Sequence, residues 1–289
     1  MDPGSDGSNK KFAVVTGPTS GFGREVAGHL AGLGFDLCLV ARDAGRAGEL
    51  ADELSARGSE VTVIIADLSS ISEADRAGAE IAALGRPIDL LVNNAGAVFG
   101  LRRRESVDGI ELTMALNHFG YVALTRRVLA NVEAARGRII NVASDAYEFA
   151  GGRLDFDDWS ATRRYRPHRQ YGRSKLANIL FTRELARRVR DGVEVVAWSP
   201  AGLTATRFAY GANPLAPLAM KLTHPFSLST NEAVGSLLEL CDRTLTGPEQ
   251  GAFFVDRTID PVEVAPASDA SRLWSVSEEV LEEILGNAA

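Results

Sequence analysis

Apolar and polar positions fall in repeating blocks along this chain: a short apolar run, a turn, an amphipathic stretch, then another turn. The first run, Phe12-Ala13-Val14-Val15, is rich in β-branched Val and predicts a strand buried on both faces. A glycine-bearing turn follows, and then Arg24–Ala31, which predicts a helix. A second strand is expected over Phe35–Arg42 and a helix over Ala44–Arg57, where Ala47, Leu50, Ala51 and Leu54 share a stripe. The pattern continues with a strand over Val61–Ala66, a helix over Ser70–Leu84 and a strand over Ile88–Val92. Beyond Asn93-Asn94-Ala95-Gly96 come a helix from about Gly109 to Ala135, a strand over Gly137–Ala143 and an irregular polar and aromatic stretch over 145–168. A helix over Gln170–Arg190 and a strand over Val193–Trp198 come next. Residues 199–228 break the pattern with proline and glycine. Ser229-x-x-Glu232 reads as a capping box opening a helix to about Cys241, ahead of a strand over Ala252–Val255 and a closing helix over Ala270–Leu285. Strands and helices alternating on short connections imply an α/β fold, a doubly wound parallel sheet of seven strands with helices on both faces. With no repeat and no linker, residues 11–289 read as a single domain behind a flexible, Gly-, Ser- and Asp-rich tail over 1–10.

Composition narrows the classes. A hydrophobic content of 45% over 289 residues is ample for a packed core. The net charge of −7 lacks the footprint expected for nucleic acid or anionic lipid, so no nucleic-acid or membrane partner is expected. Three arginine-rich spots, Arg102-Arg103-Arg104, Arg163-Arg164 and Arg187-Arg188, read as solvated faces. Cys38 and Cys241 suggest neither a disulfide framework nor a metal site, and His29, His118, His168 and His224 are scattered, so no metal is expected. Nothing near the start resembles a signal peptide and no apolar run reaches about 18 residues, which together imply a cytoplasmic protein.

Two constellations carry chemistry. In Thr16-Gly17-Pro18-Thr19-Ser20-Gly21-Phe22-Gly23 the missing Cβ atoms let a pyrophosphate approach the backbone, and the helix that follows aims unpaired N–H groups at it. Taken alone, such a turn also serves as a plain strand-to-helix connection. Tyr171 and Lys175 lie four residues apart, which puts a phenol and an ammonium on one helix face. A nearby cation lowers a phenol's pKa toward values useful for proton transfer, although a Tyr packed on a Lys stem is a common helix-surface pair.

Taken together, these motifs resemble the short-chain dehydrogenase/reductase family from about Phe12 to the last helix. Thr16–Gly23 matches the family's Thr-Gly-x-x-x-Gly-x-Gly cofactor turn, with Gly17, Thr19, Ser20, Gly21, Phe22 and Gly23 as cofactor contacts. Asp67 with Leu68 matches the position beside the adenine, and Asn93-Asn94-Ala95-Gly96 the motif that lines the cofactor through Asn94, Ala95 and Gly96. Asn117, Ser144, Tyr171 and Lys175 fall in order on the family's catalytic tetrad. Leu116–Gly120, Ser174–Asn178 and Arg272-Leu273-Trp274 are similar to the retinol dehydrogenase-like branch. Two positions depart from the pattern. Ala143 stands where Ser is usual, and Ser199-Pro200-Ala201-Gly202-Leu203-Thr204-Ala205-Thr206 departs from Pro-Gly-x-Val-x-Thr. Pro200, Gly202 and Leu203 are therefore expected at the cofactor, with either Thr204 or Thr206 on its nicotinamide side.

The resemblance implies a Rossmann-type sheet of strand order 3-2-1-4-5-6-7, NADP(H) as cofactor, and a small-molecule carbonyl or alcohol as substrate. Members of the family often form a homodimer or homotetramer through the helices that here carry Asn117 and Tyr171, and some members of this branch do not, so the resemblance leaves the oligomeric state open. Val40-Ala41-Arg42 ends the second strand with a guanidinium where NAD-binding chains carry a carboxylate, which favours NADP(H); the adjacent Asp43 weighs the other way unless it caps the next helix. Phe208, Tyr210, Leu215, Leu218, Met220, Leu222 and Phe226 lie in the segment that forms the family's substrate lid, about 203–228. They either pack on the domain's own core or close on a bulky, largely apolar substrate. Two rival readings remain. One is a C=C reductase resembling protochlorophyllide reductases, whose pigment-side cysteine has no counterpart between Ser144 and Tyr171 here. The other is a non-catalytic NADP(H)-binding regulatory protein, for which an intact tetrad would be idle.

Overall fold

The computed structural model describes residues 10–201, 230–262 and 266–287. Their strands are β1 (Phe12–Thr16), β2 (Asp36–Ala41), β3 (Val61–Ile65), β4 (Leu90–Asn93), β5 (Arg138–Val142), β6 (Glu194–Ser199), β7 (Phe253–Val255) and β8 (Thr258–Asp260). They form one sheet in the order β3-β2-β1-β4-β5-β6-β7-β8. β1 to β7 run parallel and β8 returns antiparallel on β7. The sheet is thus one strand wider than the pattern implies. Three residues are too few to show a period, and β8 exists because a tight reversal with Asp256 at φ 55° lays it against β7.

The helices are α1 (Gly21–Gly32), α2 (Ala44–Ser55), α3 (Ile71–Ala83), α4, α5 (Pro167–Arg188), α6 (Thr230–Asp242) and α7 (Ala267–Gly286); α4 runs through Leu112–Met114, a π-helical turn over Ala115–Phe119, and Gly120–Ala135. They cover both faces of the sheet, which is why the strands read as unbroken apolar runs. In β1, Phe12 and Val14 join the core beneath α3, α4, α5 and α7, while Ala13 and Val15 join that beneath α1, α2 and α6. Each fully buried Val contributes about 1.5–3 kcal/mol on such faces.

Local chemistry sets the helix ends. Asp43 accepts a hydrogen bond from the Arg46 N–H as the cap of α2, and Glu111 accepts from the Thr113 and Met114 N–H groups, starting α4 later than the pattern suggests. Proline in the first turn starts α5 at Pro167, three residues before the expected Gln170. The Ser229 capping box lies outside the described residues.

α7 packs on the helices that carry Asn117 and Tyr171. Trp274 stacks on Phe181 at 5.8 Å between centroids, the Arg188 guanidinium lies 4.5 Å from the Trp274 ring, and buried His118 Nε2 meets Ser277 Oγ at 2.9 Å. Burial pushes the His118 imidazole down to about 4, so it stays neutral near pH 7. An oligomer built on this part of α4 and α5 would have to displace α7.

Candidate active site

The glycine turn sits between the end of β1 and the start of α1. Gly17 and Gly21 take φ of 63° and 54°, conformations L side chains rarely adopt. A Cβ on Gly23 would lie 2.4 Å from both the Gly17 carbonyl oxygen and Asn94 Nδ2, so only glycine lets α1 begin this close to the turn. The end of β4 is fastened to the same place. The Asn94 side-chain amide donates to the carbonyls of Thr16 at 2.9 Å and Gly17 at 3.1 Å, and Thr16 Oγ1 accepts from the N–H groups of Asn94 and Ala95. Ser20 precedes α1 without a side-chain cap, and no heavy atom lies within 4 Å of the Cβ position of Gly21. Uncapped N–H groups beside open space fit a pyrophosphate. Half-buried Thr19 and exposed Ser20 line the turn, while the Phe22 ring packs edge-on against Trp198, 5.3 Å between centroids.

At the end of β2, Arg42 is exposed, with Nη1 3.9 Å from Asp67 Oδ2. Asp43 is occupied as the α2 cap, which leaves Arg42 as the charged side chain turned to this edge. Asp67 also accepts from the N–H and hydroxyl of Ser69, and Leu68 is buried.

Ser144, Tyr171, Lys175 and Asn117 converge at the carboxyl ends of β4 and β5. Ser144 caps the 3-10 turn Asp145–Ala150, its Oγ accepting from the Ala146 N–H at 3.1 Å and donating to Asp145 Oδ1 at 3.2 Å. The Tyr171 phenol is hydrogen-bonded with the Ser144 hydroxyl. Lys175 Nζ is buried 5.7 Å from the centroid of the Tyr171 ring and donates to the Val142 carbonyl at 2.8 Å. Asn117 lies in the π-turn of α4. Its Oδ1 accepts from the Ala97 N–H, and its Nδ2 donates to the Ala97 carbonyl and to Ser174 Oγ at 3.0 Å. A Cβ on Gly96 would sit 3.2 Å from Asn117 Oδ1 and 3.6 Å from Lys175 Nζ, so the β4 motif, Asn117 and Lys175 meet at one point.

The electrostatics differ from the sequence expectation in one respect. The Tyr171 pKa lies above its ordinary value rather than below it. Burial pushes the phenol above its ordinary value, the Ser144 hydrogen bond opposes that, and the Asp145 carboxylate adds to it. Burial also brings the Lys175 ammonium down from 10.5 to about 7, so much of its charge is gone at neutral pH. Burial is the largest cause of both shifts.

Of the supporting residues, Gly172, Asn141 and Thr182 carry no signal in the sequence, whereas Asn93 belongs to the Asn93–Gly96 motif, which in the family supports the central sheet. A Cβ on Gly172 would lie 2.6 Å from the Ala146 carbonyl oxygen and 2.7 Å from the Ala150 nitrogen, so this glycine lets α5 press against the turn that holds Ser144. Asn93 donates to Thr125 Oγ1 and Asn141 Oδ1, and Asn141 to Thr182 Oγ1, a buried ladder joining β4 and β5 to α4 and α5. Ser199 Oγ accepts from the Asp145 N–H and donates to the carbonyl of half-buried Pro200. Gly202, Leu203, Thr204, Thr206 and the lid lie outside the described residues. Among the described residues no cluster of His, Cys, Asp and Glu could hold a metal, and no helix is long and apolar enough to cross a membrane.

A glycine cradle beside a Ser–Tyr–Lys cluster, its lysine buried, marks an oxidoreductase of the Rossmann class, and comparison with known proteins agrees. Residues 11–156 match the family model for short chain dehydrogenase. Mouse retinol dehydrogenase 12 is 33% identical over 279 residues, 94% of this chain and 86% of that protein. DnrU of Streptomyces sp. strain C5, provisionally named a daunorubicin C-13 ketoreductase, is 33% identical over 271 residues, 92% of this chain and 91% of its own. Among solved structures, the Pseudomonas aeruginosa RhlG/NADP active-site complex superposes with a TM-score of 0.64 at 26% identity, covering 85% of this chain and 94% of that one. The chain belongs to the short-chain dehydrogenase/reductase family, in its retinol dehydrogenase-like branch.

Proposed function

We propose that this oxidoreductase uses NADP(H) to reduce a ketone or aldehyde of a bulky, largely apolar small molecule, or to oxidise the matching alcohol, with Tyr171 as the proton donor. The observation that carries this reading is the hydrogen-bonded Ser144–Tyr171 pair with Lys175 buried beside it, at the sheet end that also bears the glycine turn. The turn residues Gly17–Gly23, Arg42, Asp67, Asn94–Gly96 and Lys175 would hold the cofactor. When bound, the nicotinamide supplies or accepts the hydride. Tyr171 gives its proton to the carbonyl oxygen as negative charge develops there, and the Ser144 hydroxyl donates a hydrogen bond to the same oxygen. Burial makes a lasting Tyr171 phenolate costly, so the proton is replaced promptly. An ammonium near 7 both gives and takes a proton at neutral pH, which suits Lys175 to that supply.

Two supports bear on the substrate: seven large apolar side chains between Phe208 and Phe226, and relatives whose names cite retinol and daunorubicin. The test is NADPH consumption across a carbonyl panel. Large hydrophobic ketones and aldehydes should exceed short aliphatic ones in kcat/KM by at least about tenfold. A preference for small polar ketones would refute the substrate class, and no turnover of any member would refute the activity. Of the rival readings, a C=C reductase with a pigment-side cysteine finds no support. Cys38 lies in β2 and Cys241 in α6, and burial pushes both thiols up to about 12.

Cofactor choice has its own test. With Asp43 spent as a cap, Arg42 is the group to meet a ribose 2′-phosphate, and its exposed pair with Asp67 at 3.9 Å is a weak competitor. A charge-assisted hydrogen bond of about 1.5–3 kcal/mol corresponds to a preference for NADPH of about ten- to a hundredfold. Arg42→Ala should remove most of it while leaving NADH affinity unchanged, as read by titration of each cofactor. Equal affinities in the parent protein would refute the assignment.

A further inference from the structure

We infer that the arginine-rich rim formed by residues 100–104 and 163–169 beside the candidate active site is a docking surface for an anionic phospholipid bilayer. The inference goes beyond the proposed reaction and does not depend on turnover. Two arginine clusters distant in sequence become neighbours in the fold. Arg103 Nε donates to the Ser160 carbonyl at 3.0 Å, and the Tyr165 hydroxyl donates to the carbonyls of Phe99 and Gly100 at 2.9 and 3.2 Å. The joined segments continue directly from the elements of the site: the 100–104 loop follows Asn94–Gly96, and 163–169 leads into α5 and Tyr171.

The rim is only partly neutralised, by Glu105 on Arg103 and by Asp158 near Arg163. Arg102, Arg104, Arg163, Arg164, Arg166 and Arg169 are all exposed, and none forms an ion pair among the described residues. Most of the nearby acids already have partners, some of them in the rim itself. Glu105 pairs with Arg103 and Asp155 with Arg173, Asp157 faces Arg272 at 3.9 Å, and Asp158 is buried, accepting from Thr162 and the Arg163 N–H. Glu148, Asp155 and Asp157 remain as exposed carboxylates at the edge, three against six exposed arginines. The third cluster behaves differently, because Arg187 and Arg188 share Glu184 at 3.7 and 2.8 Å. The net charge of −7 says nothing of this arrangement. A negative protein with one concentrated cationic rim is oriented by an anionic surface rather than repelled on all sides.

Apolar groups on the same rim favour lipid over an acidic protein or a nucleic acid. Leu101 and Phe149 are 62% and 61% exposed. Phe149 borders a depression of about 610 Å³ also lined by Gly151, Arg166, Pro167, His168 and Arg169. Arginine forks suit phosphate oxygens, and a Leu or Phe beside them can enter the boundary between headgroups and acyl chains. Docking there would bring the site to the phase in which a bulky apolar substrate collects.

The test is co-sedimentation of the full chain with vesicles of phosphatidylcholine alone and with about 30 mol % phosphatidylglycerol added. Binding is expected to the anionic vesicles only, falling as salt rises from about 0.1 to 1 M and the Debye length shrinks from about 10 to 3 Å. The triple variant R164E/R166E/R169E, whose exposed side chains leave the core untouched, should lose at least about a hundredfold in partition. Leu101→Asp or Phe149→Asp should weaken binding with the salt dependence retained. NADPH consumption with a soluble ketone should be the same in the triple variant and in Leu101→Asp, so failure of docking and failure of the proposed reaction give separate readouts. Equal binding to neutral vesicles, an unaffected triple variant, or insensitivity to Leu101 and Phe149 together with displacement by soluble polyglutamate would each overturn the inference, the last in favour of an acidic protein partner.

Discussion

Replacing Tyr171 by Phe should lower turnover of a carbonyl substrate by at least about a hundredfold, the usual loss when a general acid is removed. NADPH affinity should stay within about twofold, because the glycine turn, Asn94 and Lys175 keep their contacts and the aromatic ring is retained. Structure adds a reason for the size of the loss. The Tyr171 pKa is raised by burial, so the phenol is fully protonated at neutral pH and ready to donate. Phe leaves Ser144 as a hydrogen-bond donor but supplies no proton. Stopped-flow single turnovers with NADPH in excess would separate the chemical step from binding, and the loss should lie in the former. Full activity in the Phe variant would remove Tyr171 from the mechanism and with it the roles given to Ser144 and Lys175.

Features governed by neighbours along the chain were legible in the sequence. Gly17, Gly21 and Gly23 mark the cofactor turn because a side chain at those positions is excluded by the local backbone or by the next turn of chain. Tyr171 and Lys175 share a helix face by spacing alone, and Asp43 is a helix cap by its place before Ala44. What the sequence could not show depends on segments that meet only in the fold. The direction of the Tyr171 pKa shift is decided by how deeply α5 is buried, a property of three layers at once, and so it runs opposite to what the Lys175 spacing suggests. β8 has three residues and acquires its identity from β7 alone. The π-turn at Asn117 has no sequence signature, and the Asn117 side chain bonds to Ala97 and Ser174, 20 and 57 residues away. Arg102 and Arg164 look like separate solvated spots until Tyr165 and Arg103 tie their loops together.

Gly172 is the clearest such residue, and it yields the second large effect. Glycine inside a helix is ordinarily a cost, and replacing it by Ala stabilises by about 0.5–1 kcal/mol where space allows. Gly48 in α2 is such a place, with no heavy atom within 4 Å of its Cβ position. Gly172 is not, because the added methyl would meet the Ala146 carbonyl oxygen at 2.6 Å and the Ala150 nitrogen at 2.7 Å. Both are backbone atoms, so no rotamer relieves the contact, and α5 must move away from the 3-10 turn. That turn is tied to Ser144 through the Ala146 N–H, so the movement separates Ser144 from Tyr171. Gly172→Ala should therefore lower Tm by about 3–10 °C, from overpacking worth about 1–3 kcal/mol. It should also lower kcat by about ten- to a hundredfold with KM for NADPH little changed, because the reacting groups are misplaced while the cofactor turn is intact. Gly48→Ala should move Tm the opposite way and leave kcat alone. The paired signs distinguish a tight helix-to-turn contact from a general dislike of substitution. If Gly172→Ala instead raised Tm like Gly48→Ala and kept full kcat, the close approach of α5 to the Ser144 turn would not be what holds the two hydroxyls together.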